Sequence, residues 1–64
     1  MYNNLQAEMA RRNLTGRSLA NLIGITELTM YNKLNGISEF KLNEMEAIKS
    51  VMRIDAPFEY LFKR

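Results

Sequence analysis

The 64-residue sequence predicts an all-α protein, a compact bundle of four to five short helices with two of them joined as a helix-turn-helix. Three observations predict it. Apolar residues return every three or four positions through most of the chain, which is the period of an amphipathic helix. No stretch sustains the alternation of a half-buried strand. Residues suited to starting and stopping helices punctuate the pattern, with Thr15 and Thr26 opening segments and Gly24 and Asn35-Gly36 closing them.

The first helix is expected to start at the capping residues Asn3 and Asn4 and to run to about Arg12. Leu5 and Met9 lie one turn apart and face the core. Glu8 and Arg12, four apart, support the outer face by about 0.2–0.5 kcal/mol. Arg11 and Arg12 are placed at a solvated helix end. Asn13 can close this helix in a left-handed conformation, with Leu14 tucked beneath. The hydroxyl of Thr15 can accept a backbone N–H left unpaired in the first turn of the second helix. Leu19, Ala20, Leu22 and Ile23 then recur at helical spacing. Gly24 suits a reversal that needs a positive φ, Ile25 plugs the corner, and Thr26 caps the third helix. From Glu27 to Asn35 the pattern resumes with Met30 and Leu34 facing inward, and Asn35-Gly36 ends it.

Ile37 to Phe40 form a connection anchored by Phe40. A fourth helix is predicted over residues 42 to 52, where Leu42, Met45, Ile48 and Met52 recur. Glu44 and Glu46 near its start and Lys49 and Arg53 near its end agree with the helix dipole. Asp55 is expected to cap a short fifth segment with Pro57 in its first turn, and Phe58, Leu61 and Phe62 give that segment an apolar face. The chain has room for one domain, residues 1–64, and a domain so small hides only about 60% of its unfolded surface.

Composition narrows the function. There is no cysteine and no histidine, so neither a disulfide nor a thiolate metal site can form. The Glu44 and Glu46 carboxylates, two apart on a helix, diverge and cannot share a reacting group. Without a glycine-rich phosphate cradle either, an enzyme is not expected, and neither is a cofactor or small-molecule substrate. No run approaches the roughly 18 apolar residues of a membrane span and no leader opens the chain, which makes the cytoplasm the expected compartment. Net charge is +2 with a pI near 9.2. Residues 1 to 41 hold five basic side chains (Arg11, Arg12, Arg17, Lys33, Lys41) against three acidic ones, whereas the remainder is balanced at four against four. A small positive excess therefore lies with the paired helices, as a phosphate-facing surface requires.

On these residues the chain resembles the helix-turn-helix family of phage Cro proteins and phage repressors, whose fold is lambda-repressor-like. The resemblance is carried by Leu19-Ala20, Ile23-Gly24-Ile25-Thr26, Met30 at the inward aliphatic position and the closing Asn35-Gly36, and it covers nearly the whole chain. It implies a transcriptional regulator that binds double-stranded DNA in sequence-specific fashion, with the second helix of the unit in the major groove. It also implies a homodimer on a two-fold operator, with half-sites about 34 Å apart. The tail PFEYLF offers such a dimer contact, or else its apolar anchors simply seal the core.

With Met30 and Leu34 inward, a step of about 100° per residue turns Leu28 and Asn32 outward. Glu27, Leu28 and Asn32 are the candidates for base contact. Asn32 can pair both edges of an adenine, Glu27 can accept from a cytosine amino group, and Leu28 can touch a thymine methyl. Each has a plainer reading as well: a solvated amide, a helix-start acid favoured by the dipole, an isolated surface leucine. Candidates for contact with the DNA backbone are the charged Arg17, Lys33 and Lys41 and the neutral Thr15, Thr26, Thr29, Tyr31 and Asn35. Two positions depart from the family. Gly16 stands where many relatives carry a phosphate-holding glutamine, which removes a contact and weakens the helix by about 1 kcal/mol relative to alanine. Lys41 stands where relatives carry a threonine or serine cap. The thin charge, the acid at Glu27, the outward leucine and the lost glutamine together fit a second function, a protein-interaction module that reuses the fold to bind another regulator.

Overall fold

Tyr2, rather than either asparagine, begins the first helix. In the computed structural model, which describes residues 1–64, α1 spans Asn3–Arg11, α2 Gly16–Ile23, α3 Glu27–Leu34, α4 Leu42–Met52 and α5 Phe58–Leu61, with no strand. The all-α bundle of short helices read from the sequence is the observed architecture. Tyr2 occupies the cap position of α1 at φ 49° and supplies no side-chain cap. Burial accounts for this conformation, which is costly for a residue with a Cβ. The Tyr2 ring is buried edge-on against Phe40, with centroids 5.3 Å apart, and against Phe62 at 6.4 Å. Asn3 and Asn4 therefore fall inside the helix, where the Asn4 amide donates to the Tyr60 carbonyl at 2.8 Å.

Glu8 and Arg12 pair as their spacing requires, at 2.8 Å, and Arg11 joins the same carboxylate. Arg12 is not at a solvated end, however. It is half-buried, and its Nε donates to the Met52 carbonyl at 2.9 Å, tying the end of α1 to the end of α4. Asn13 closes the turn at φ 55°, and Leu14 packs against the core.

The α2–turn–α3 unit forms as its caps dictate. Thr15 Oγ1 accepts the Ser18 N–H at 3.1 Å, and Thr26 Oγ1 accepts the Thr29 N–H at 3.1 Å. Between them Gly24 takes φ 84°, which lets the N–H groups of both Gly24 and Ile25 return to the Ala20 carbonyl at 2.9 and 3.0 Å. Ala20 is buried, and its small side chain suits the α2–α3 interface, the most extensive between any two helices of the molecule. Leu19 is fully buried and Ile23 packs behind it, but Leu22 is exposed. At 100° per residue Leu22 stands about 110° from the stripe centred on Leu19, Ala20 and Ile23, too far round to reach the core.

The same geometry corrects the reading of Leu42. The inward stripe of α4 runs through Met45, Ile48 and Met52, and Leu42 lies about 90° off it in the first turn, exposed. Asp55 caps nothing: the cap position of α5 is Pro57, without a side-chain bond. Leu61 is fully buried, and Phe62 packs beside Phe40 with centroids 5.3 Å apart. The apolar face of the tail thus closes the core formed by α1, α2, α3 and α4, leaving Tyr60 at its rim. No helix is long and apolar enough to cross a membrane.

Candidate functional site

The outer face of α3 is the surface that the sequence singled out. Met30 and Leu34 are buried on α2, and their burial turns the opposite side outward. Leu28 is 71% exposed, more than any other residue of α3 among the large apolar side chains. Asn32 sits half-exposed one turn later, and Asn35 is exposed at the end of the helix. Glu27, Leu28 and Asn32 therefore do share an accessible surface on the first two turns of α3.

Glu27 stands next to a cation. Its carboxylate lies 4.0 Å from Arg17 Nε, a loose contact across the turn between two exposed side chains. At this distance and exposure the pair contributes little stability, about 0–1 kcal/mol, but it brings positive charge beside the acid. Arg17 remains 76% exposed and free to meet a phosphate. Thr15 and Thr26 have their hydroxyls occupied by capping. Thr26 accepts from the backbone and donates to the Thr29 hydroxyl at 2.7 Å, so Thr29 keeps the free hydroxyl proton of the two. Thr15 Oγ1 lies 3.0 Å from Ser18 Oγ.

Tyr31 is partly exposed beside Gly16. A Cβ built on Gly16 would meet the Tyr31 ring at 3.3 Å and Leu34 at 3.4 Å, so the missing side chain makes space for that ring over the start of α2.

Lys33 does not belong to the exposed surface. It is buried, with its ammonium donating to the Glu39 carbonyl at 2.9 Å and paired with Glu44 at 3.0 Å. Its stem runs under the end of α3 rather than out from it, and a phosphate cannot reach the charge. The backbone-contact assignment of Lys33 is withdrawn on that ground. Glu44 is the residue that the sequence reading missed. Its carboxylate also accepts the Lys41 N–H at 2.8 Å, the acidic half of a capping box, which replaces the hydroxyl cap that Lys41 cannot provide. The spacing Lys41-x-x-Glu44 was the available signal. Burial works against the charged carboxylate, but the Lys41 N–H and then the Lys33 ammonium outweigh it and hold the Glu44 pKa below its ordinary value. The Lys41 side chain itself is exposed.

No three His, Cys, Asp or Glu side chains converge on a point where a metal ion would sit. No protein-family model, no curated protein and no solved structure matches this chain.

Proposed function

We propose that this protein is a small cytoplasmic regulator of transcription that binds double-stranded DNA, with the outer face of α3 in the major groove. The observation that carries the reading is the exposed Leu28–Asn32 face. It sits at the start of a helix whose position is fixed by a threonine-capped turn and by burial of Met30 and Leu34 on α2. In a helix-turn-helix the N-terminal residues of the second helix reach base edges. Asn32 reads an adenine, Leu28 meets a thymine methyl, and Glu27, with Arg17 offsetting its repulsion from phosphate, accepts from a cytosine. Arg17, Lys41, Tyr31, Thr29 and Asn35 hold the flanking backbone. Two copies on a two-fold operator fit this mode of reading.

A second reading, docking to another regulator through the same face, is favoured by one observation: the apolar Leu28 at the start of α3 and Ile37 just beyond its end are both highly exposed, while Lys33 is withdrawn into an internal ion pair. Selection of duplexes from a random pool, followed by titration at several salt concentrations, separates the two. DNA reading yields a preferred sequence and an affinity that falls steeply with salt, because each neutralised phosphate releases counterions. A chain that leaves duplex untouched in dilute buffer ends the DNA reading.

A further inference from the structure

We propose that Lys33 and Glu44 form a positioning pair that fixes the base-reading face of α3 against the backbone-contacting Lys41. The proposal rests on the DNA-binding reading of α3. Its ground is that α3 and α4 each pack on α2 and make little direct backbone contact with each other. What ties them directly is a chain of polar contacts. The Lys33 ammonium, on the last turn of α3, reaches the Glu39 carbonyl at 2.9 Å and the Glu44 carboxylate at 3.0 Å, and the same carboxylate oxygen accepts the Lys41 N–H at 2.8 Å. The connection is pinned a second time at Asn32, whose carbonyl accepts the Ile37 N–H at 2.9 Å and the Ser38 N–H at 3.3 Å. Asn32 and Lys41, one proposed to read a base and the other a phosphate, are thus held at the two ends of one network.

Both charged side chains are nearly out of solvent, Lys33 at 7% and Glu44 at 12% exposed. An apolar pair of similar volume commonly stabilises a buried site at least as well as an ion pair does. What the ion pair adds is direction: an ammonium between two fixed acceptors sets where the connection and the start of α4 sit relative to α3. A side chain packed only by shape would leave Lys41 free to shift.

The test compares Lys33→Met and Glu44→Gln with the unaltered protein on a duplex selected from the random pool, at a temperature where circular dichroism shows each variant folded. Lys33→Met is expected to bind about tenfold more weakly, with the salt slope reduced by about one unit as the Lys41 contact is lost. Glu44→Gln keeps an oxygen for the Lys41 N–H but loses the charge, and a smaller loss of about threefold is expected. Met52→Ala, a core change remote from the pair, serves as the control for lowered stability and should leave the slope unchanged. Full affinity and slope in a folded Lys33→Met, or the same pattern as Met52→Ala, overturns the positioning role while the DNA reading stands. If Lys33→Met does not fold, Glu44→Gln decides by the same criterion. An unaltered protein that selects no duplex overturns both.

Discussion

At Glu8 one carboxylate meets Arg12 at 2.8 Å, Arg11 beside it and the Tyr60 hydroxyl at 3.1 Å. The hydrogen bonds from Arg12 and then Arg11 hold its pKa at about 2, below the ordinary 4.5. A carboxylate depressed in the folded state adds stability that is complete above its unfolded pKa and is lost as pH falls through the folded one. The thermal midpoint should therefore decline between about pH 4.5 and pH 2, and Glu8→Gln should lower the midpoint at neutral pH and flatten the decline. Melts at stepped pH check this, and an unaltered acid limb in the variant would leave Glu44 as the carboxylate responsible. At Asn32 the expectation concerns binding. Asn32→Ala should cost about 1–3 kcal/mol on the selected site and relax preference at one base position. Equal loss on every sequence would make Asn32 a phosphate contact instead.

Among the helices, α3 shows what sequence can and cannot specify. Its bounds, its threonine cap and the outward set of Leu28 and Asn32 follow from local rules, because capping and a 3.6-residue period involve neighbours along the chain. Lys33 does not follow. Periodicity places its Cβ near the margin of the buried stripe, but only a partner eleven residues away decides whether the long stem turns outward or under the helix. Tyr2 is a parallel case, where an aromatic cluster built from residues 2, 40 and 62 overrides the capping preference of two asparagines. Leu22 and Leu42 were within reach of the same angular reasoning applied more strictly. The unit that local rules do define is testable. Thr26→Ala removes the acceptor for the Thr29 N–H and should cost about 1 kcal/mol in denaturant unfolding. Gly16→Ala should raise stability by about 0.5 kcal/mol, since the partly exposed Tyr31 ring can yield the few tenths of an ångström that a new Cβ requires. A loss instead would mean that Tyr31 is held rigidly over the start of α2.

For the molecule as a whole, the question is what closes a core formed by so few buried side chains. A chain of this size has an unfolding free energy of about 3–10 kcal/mol on the usual per-residue scale, so one anchor can decide whether it folds. Leu61 is the strongest candidate. It is fully buried on a helix of four residues that has no side-chain cap, so α5 holds its place through what it covers and not through its own helical stability. The polar ties around it lead to α1: the Asn4 amide on the Tyr60 carbonyl at 2.8 Å and the Tyr60 hydroxyl on Glu8 at 3.1 Å. Leu61→Ala removes the anchor, exposes the aromatic cluster of Tyr2, Phe40 and Phe62, and should cost about 2–5 kcal/mol. At about 4–8 °C per kcal/mol for a domain this small, the thermal midpoint should fall by at least about 8 °C. Tyr60→Phe, which removes one exposed hydrogen bond and keeps the packing, should lower it far less. Comparable drops in the two variants would show that the clasp on α1 holds the tail in place, with burial of Leu61 secondary to it.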